Sequence, residues 1–246
     1  MNLSIIILTC NQCELTLRCL KSLNVFLSDQ QTEIIVIDNG SFDNTEEKVK
    51  KYFPSVRFYK LNQNGGVAKG RNYGVSKAKG KRILFLDNDT IASENAIKGL
   101  YEFLDNHKDC GIVGPKLISP SGKIQESFKD YPGIGIKIKN WIFKKDAVVN
   151  YNPPLHEPFY VIGAAQMFDK ELFDKLGGLD SKIFFGPEDA DFCINIRRSG
   201  KKIIYNPEFS IIHDYQRSTS GRKLTKRTFM HIKALLYFYF KHHRFF

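Results

Sequence analysis

Four short apolar runs, separated by stretches of helical periodicity, fill the first hundred residues of this chain and limit its fold more than any other feature. Residues 3–8, 33–38, 56–61 and 82–87 each read as a buried strand. Leu17, Leu20, Leu23 and Leu27 recur at helical spacing after the first run. A helix is expected from the second run to about Tyr52, another over 67–77, and a further one marked by Ile97, Leu100, Tyr101 and Leu104. A β-α-β-α-β-α-β order of this kind predicts an α/β fold, a doubly wound and mostly parallel sheet with helices on both faces. Three of the strands end in a polar residue: Thr9, Asp38 and Asp87. Ligands of open parallel sheets bind outside the carboxyl ends of the strands. These three residues are therefore expected to converge on one crevice.

The pattern changes after Pro115. Turns are expected at 120–122, 132–133 and 153–154, with a weakly periodic basic stretch at 136–148. Residues 160–168 read as a strand, 188–199 as a helix ended by Gly200, and 202–205 and 209–213 as two strands. A long amphipathic helix is expected over 224–243, with Phe229, Ile232, Leu236, Tyr239 and Phe240 as its apolar stripe. No repeat or flexible linker interrupts the chain, so 1–246 reads as one domain. Its parts are a nucleotide-binding half (1–114), a variable second half (115–221) and the basic amphipathic helix (222–246). At 246 residues such a domain can bury a core without disulfide or metal staples. The five cysteines are odd in number and lack a zinc-ribbon spacing, so they read as reduced thiols. The first residues lack the features of a signal peptide, and no apolar run approaches about 20 residues. A cytoplasmic location is expected.

Charge narrows the partners. Lys and Arg number 37 against 26 acids, and the excess is concentrated. Residues 60–82 carry seven basic side chains and residues 215–246 carry eight, with no acid in either block. Such blocks suit phosphate-bearing partners: nucleotides, nucleic acid or an anionic membrane surface.

Four motifs carry chemistry. Asp87-Asn88-Asp89 leaves the fourth strand as a carboxylate triplet, suited either to a hard divalent cation or to a turn. The run 64–72 (Asn-Gly-Gly-Val-Ala-Lys-Gly-Arg-Asn) opens a helix with glycines and positive charge, as a phosphate site or a solvated helix start would. Pro187-Glu188-Asp189-Ala190-Asp191 begins another helix. Its acids complement the helix dipole, and one of them could serve as a general base. His213 closes an apolar strand and is a candidate third metal ligand.

In this order the motifs resemble family 2 of the glycosyltransferases, an inverting family with the GT-A fold. The matching stretches are 4–11, 36–45, 64–74, 86–89, 163–168, 178–180, 188–191 and His213. Within the family the chain looks most like bacterial rhamnosyltransferase-type enzymes of cell-surface polysaccharide assembly. The resemblance implies that Thr9, Asn11 and Asp38 hold the nucleoside. Asn64, Gly66, Arg71 and Asn88 would complete the nucleotide pocket. Asp87, Asp89 and His213 would hold Mg²⁺ or Mn²⁺, Asp87 also contacting the nucleotide. Gly163, Ala164 and Asp191 would border the donor sugar and acceptor. Asp189 would be the general base, with Glu188 supporting the acceptor hydroxyl. Cys10 stands where the family often has a stacking tyrosine. The implied partners are a nucleotide-sugar and a saccharide or polyprenyl-linked acceptor, with no nucleic acid. The C-terminal helix would either pack on the domain or rest on the inner face of the plasma membrane. The competing readings are a sugar-phosphate nucleotidyltransferase, which would want a glycine-rich loop where Thr9-Cys10-Asn11-Gln12 stands, and a basic nucleic-acid or membrane-surface module.

Overall fold

A computed structural model describes residues 1–130, 152–214 and 226–242. The first half runs β1 (Leu3–Thr9), α1 (Cys13–Ser22), β2 (Thr32–Asp38), α2 (Thr45–Tyr52), β3 (Arg57–Lys60), α3 (Val67–Lys77), β4 (Arg82–Asp87), β5 (Thr90–Ala92), α4 (Glu94–Asn106) and β6 (Cys110–Ile118). There follow β7 (Phe128–Lys129), β8 (Tyr160–Val161), β9 (Ala165–Asp169), α5 (Lys170–Lys175), α6 (Glu188–Arg198), β10 (Lys202–His213) and α7 (Lys226–Lys241). Among the described residues the main sheet has eight strands, in the order β3-β2-β1-β4-β9-β6-β10-β5, and β7 pairs with β8 apart from it. β9 and β5 run antiparallel to their neighbours, and the remaining pairings are parallel. This is the doubly wound, mostly parallel sheet the apolar runs predict.

Strand alternation divides the core between the two faces. Leu3, Ile5 and Ile7 of β1 pack with Leu20 and Leu23 near α1 and with Leu100 of α4. Ile6 points the other way, toward Val75 of α3, Phe192 of α6 and Phe238 of α7. Glycine lets α3 come close to β1: a Cβ on Gly74 would lie 2.6 Å from Ile6 Cγ2. Register then aligns the strand ends. Thr9 pairs with Asp38 and Leu8 with Asp87, so the three polar ends emerge side by side.

Several boundaries differ from expectation. The stretch 17–27 is not one helix, because α1 stops at Ser22 and a 3-10 turn, Asn24–Leu27, follows. The stretch 160–168 splits into β8 and β9 around Ile162, Gly163 and Ala164. The expected strands 202–205 and 209–213 are instead one strand, β10, whose register against β6 slips between Asn206 and Ser210. The turn at 132–133, the stretch at 136–148 and the start of the 224–243 helix lie outside the described residues.

Candidate functional site

The crevice forms where β1, β2 and β4 end. At β2, Asp38 is buried and its Oδ1 accepts the Ser41 amide at 2.8 Å. Its Oδ2 is also buried and has no hydrogen-bond partner among the described residues. A buried carboxylate oxygen left unsatisfied is costly, and a donor arriving from a ligand would remove that cost. Asn39, which the motif reading passed over, organises the neighbouring loop. Its Nδ2 donates to Asn64 Oδ1 (3.0 Å) and to the Gly66 carbonyl (3.2 Å), and its Oδ1 accepts from the Gly65 amide (3.0 Å). Gly66 has φ +89° and a Cβ there would lie 2.4 Å from the Phe184 carbonyl oxygen, so only glycine fits before α3. Asn11, also left-handed at φ +54°, accepts the Phe42 amide on Oδ1 and ties the β1 loop to the β2 loop.

The Asp87-Asn88-Asp89 turn points its residues in different directions. Asn88 is buried and donates to both Thr9 Oγ1 (3.2 Å) and Thr16 Oγ1 (3.1 Å). Thr16 gives its own proton to the Gln12 carbonyl, so Thr9 donates to Thr16. Thr9 and Asn88, expected on the nucleotide, thus belong to a buried polar triad beneath the crevice. Asp87 and Asp89 instead meet His213: one ligand atom from each of the three lies within 4.8 Å of the others. Strand pairing brings this about. β5 follows Asp89 directly and runs antiparallel to the end of β10, with Thr90 opposite His213.

The protonation of His213 follows from its neighbours. Gln125 Nε2 donates to the His213 carbonyl at 3.0 Å, so Gln125 Oε1 is the atom facing the ring at 3.0 Å. An amide oxygen only accepts, so Nδ1 carries a proton and Nε2 faces Asp89, 3.4 Å from Oδ1. Burial disfavours the imidazolium, but Asp89, helped by Asp87 and Asp214, outweighs it and raises the His213 pKa. The Asp87 carboxyl is raised by desolvation, with Arg71 opposing and Asp89 adding to the shift. Gln125, 88 residues from His213, gave no signal in the sequence.

Arg71 joins this cluster to the second half. It is 3% exposed, and its Nη2 donates at 2.7 Å both to Asp87 Oδ1 and to the Gly163 carbonyl. Its guanidinium carbon lies 4.9 Å from the Phe85 ring centroid. Arg71, expected to complete a nucleotide pocket, is committed to these two partners within the protein. The Gly163 amide in turn donates to Asp189 Oδ2 at 3.2 Å. Asp189 is half-buried at the start of α6, and Ala164, beside Gly163, is buried with its carbonyl accepting the Asp87 amide. Glu188 is buried, and its Oε2 accepts the Gly186 amide at 2.8 Å. Burial, reinforced by the Asp189 charge, pushes the Glu188 pKa up to about 8. Asp191, expected beside donor and acceptor, is wholly buried under α7, where Lys241 and His242 each reach its Oδ1 at 2.7 Å. Geometry thus joins Asp38, Asn64 and Gly66 on one side, Asp87, Asp89 and His213 in the centre, and Gly163 with Asp189 and Glu188 on the other.

Comparison with known proteins follows the same outline. The sequence pattern of Glycosyl transferase family 2 matches residues 4–177. The dTDP-rhamnosyl transferase RfbF of Shigella flexneri is 28% identical over 200 residues, covering 79% of this chain and 64% of the relative. The poly(ribitol-phosphate) beta-N-acetylglucosaminyltransferase TarP of Staphylococcus aureus is 28% identical over 223 residues, covering 87% of this chain and 64% of TarP. The chain therefore spans under two thirds of these relatives. Among solved structures, the mannosyltransferase PcManGT of Pyrobaculum calidifontis, in complex with GDP-Man and Mn²⁺, superposes with a TM-score of 0.62 at 17% identity, covering 89% of this chain and 58% of PcManGT.

The raised Glu188 pKa has a consequence for stability. The ordinary value is 4.5 and the folded value about 8, so the unfolded chain releases this proton first. Wild-type stability should fall as pH rises between those values and then level off. Glu188→Gln keeps an acceptor for the Gly186 amide and removes the titration. In differential scanning fluorimetry its melting temperature should match wild type near pH 4.5 and exceed it increasingly up to pH 8. A constant difference across that window would contradict the assignment.

Proposed function

The chain belongs to Glycosyl transferase family 2 and has the GT-A fold; from this premise we propose that it is an inverting glycosyltransferase. It would move a sugar from a nucleoside-diphosphate-sugar to a hydroxyl of a saccharide or lipid-linked saccharide, in bacterial cell-surface polysaccharide assembly. The names of RfbF and TarP, a dTDP-rhamnosyl transferase and a transferase acting on poly(ribitol-phosphate), support that setting. The observation that carries the reading is the placement of Asp189 across Gly163 and Arg71 from the Asp87–Asp89–His213 cluster. We assign donor binding to 1–114 and acceptor binding with catalysis to 115–221, within one domain.

A divalent cation fits the cluster. Its donors are two carboxylates and an imidazole nitrogen whose tautomer Gln125 fixes. Asp89 Oδ1 is buried, and among the described residues it faces the imidazole Nε2 of His213 at 3.4 Å with no closer donor. Oxygen and imidazole donors suit Mg²⁺ or Mn²⁺. Bound there, such an ion would neutralise charge on the leaving diphosphate. Asp38 and the Asn64–Gly66 loop hold the nucleoside end of the donor, and the N-terminus of α3 favours its phosphates. Asp189 takes the proton of the acceptor hydroxyl as that hydroxyl attacks. Glu188, neutral at pH 7, limits charge repulsion beside the base. Attack opposite the leaving group inverts the anomeric carbon, and no carboxylate nucleophile is needed.

The outer face of α7 supports a membrane partner. No helix among the described residues is long and apolar enough to cross a membrane. Phe229 is 70% exposed, Leu236 62% and Phe240 82%, and Ile232 is exposed beside them, all at helical spacing. Tyr239, read as part of this stripe, packs against the core instead. Lys233 is exposed on the same helix, within a basic block that lacks acids. Aromatic and aliphatic side chains amid basic charge suit an anionic lipid surface. The resulting location is the cytoplasmic face of the plasma membrane.

Three outcomes test this account. Asp189→Asn should lower turnover of a nucleotide-sugar panel by a factor on the order of 10² or more while nucleotide affinity stays unchanged. Parallel loss of nucleotide binding would move Asp189 into the donor pocket. Asp89→Asn should abolish both most turnover and the thermal stabilisation given by Mn²⁺ with a nucleoside diphosphate; full activity in EDTA would remove the metal. Sedimentation with phosphatidylglycerol liposomes should weaken with salt and disappear in a Phe229→Ser, Leu236→Ser, Phe240→Ser variant. Unchanged sedimentation of that variant would exclude the stripe as the contact.

A further inference from the structure

The inner face of α7 is polar where it meets the body of the protein. His231, Tyr237, Lys241 and His242 line it together with buried Ala234 and Phe238. Each of the four polar residues grips the segment that leads into α6 or the first turn of α6. Tyr237 donates its hydroxyl proton to Asp180 Oδ2 at 2.9 Å, and Lys241 Nζ reaches the same oxygen at 2.7 Å. His231 Nδ1 lies 3.1 Å from the Phe185 carbonyl, and a Cβ on Gly186 would come within 2.3 Å of that ring nitrogen. Lys241 and His242 then share Asp191 Oδ1. These contacts, at residues 180, 185 and 191, bracket Glu188 and Asp189. From the opposite side α3 holds the same segment: Asn72 donates to the Leu179 carbonyl at 2.7 Å, and the Val67 amide donates to the Phe184 carbonyl at 2.9 Å.

A carboxylate as buried as Asp191 is stable only if paired, and here its partners lie at the C-terminal end of α7. Asp191 is also the third acid in the first turn of α6, after Glu188 and Asp189. The positive charge on Lys241 offsets the negative charge of Asp191 so close to Asp189. Since Asp189 sits two residues before Asp191 on the same turn, the grip on Asp191 fixes the orientation of that turn. A displacement of about 1 Å at a reacting group can cost on the order of 10² in rate. We propose that α7 is a positioning element for Asp189, with Lys241 and His242 as its anchors. The proposal rests on the reading of Asp189 as the general base and adds that the C-terminal helix holds that base in place. Lys241, one of the basic residues of the C-terminal block, thereby serves the site and not the lipid surface.

The test compares Lys241→Met, His242→Leu and His242→Gln in the full chain. Gln keeps a donor for Asp191, whereas Leu removes it. Lys241→Met and His242→Leu should lower kcat about tenfold or more, with donor KM and nucleotide affinity within twofold of wild type. His242→Gln should recover most of the loss. Hydrogen exchange should rise in 180–191 in Lys241→Met and stay unchanged in 82–92. Lys241 is at the rim of the contact, so Lys241→Met decides the question if His242→Leu does not fold. Folded variants with wild-type kcat, or with nucleotide affinity falling in step with kcat, overturn the proposal and leave the transferase reading intact. If the wild-type chain turns over no nucleotide-sugar, that reading fails. Exchange in 180–191 then decides whether α7 restrains the segment, and unchanged exchange overturns the restraint as well.

Discussion

A buried guanidinium ties the two halves of this protein together at the crevice, beside the β4–β9 pairing that sets their register. Arg71 leaves α3 in the first half of the chain, lies over Phe85, and divides its Nη2 between Asp87 and the Gly163 carbonyl. A buried cation of this kind must be matched, and each partner belongs to a different part of the site. Asp87 belongs to the carboxylate–imidazole cluster. Gly163 presents its amide to Asp189. The cluster that would steady a leaving diphosphate and the carboxylate that would take a proton are therefore bridged by one side chain, alongside the hydrogen bond from the Asp87 amide to the Ala164 carbonyl. Arginine suits the place because its guanidinium keeps its charge when buried and its flat face lies over the Phe85 ring.

The strand ends were legible because their signal is local. An apolar run ending in Thr or Asp, repeated with helices between, predicts both a parallel sheet and a polar crest, and the pairings of Thr9 with Asp38 and Leu8 with Asp87 deliver it. What escaped depends on contacts between distant segments. Asn39 and Gln125 are ordinary polar residues in sequence, and only the return of residues 64–66 and of β10 gives them partners. β6 was hidden by its composition, since Gly111, Gly114 and Pro115 all disfavour a strand. The glycines are there for contact: a side chain at 114 would meet Val161, and one at 111 would meet Ile196. Motif order points to Thr9, Asn88, Arg71 and Asp191 as residues of the crevice. Their buried hydrogen bonds put them beneath the crevice or behind it, which motif spacing does not encode.

The C-terminal helix reverses the usual rule for amphipathic helices. Periodicity assigns its Phe and Leu stripe to the core. Instead Phe229, Leu236 and Phe240 face outward, and His231, Lys241 and His242 face in. The reason is electrostatic. The surface awaiting α7 presents Asp180, Asp191 and the Phe185 carbonyl, and a wholly apolar face would leave these groups buried and unpaired. Asp180 titrates below the ordinary carboxylate range: desolvation opposes the shift, and Lys241, the Lys182 amide and Tyr237 overcome it. An apolar stripe left outside then becomes a surface in its own right.

In the proposed reaction Asp87, Asp89 and His213 together hold the cation of a nucleoside diphosphate. Pulsed EPR of Mn²⁺ bound with dTDP or UDP measures this in solution. The account predicts ³¹P coupling from the diphosphate together with ¹⁴N coupling from one imidazole, the latter lost in His213→Ala. Bound Mn²⁺ that shows ³¹P coupling and no imidazole nitrogen, or nitrogen coupling that persists in His213→Ala, would contradict it.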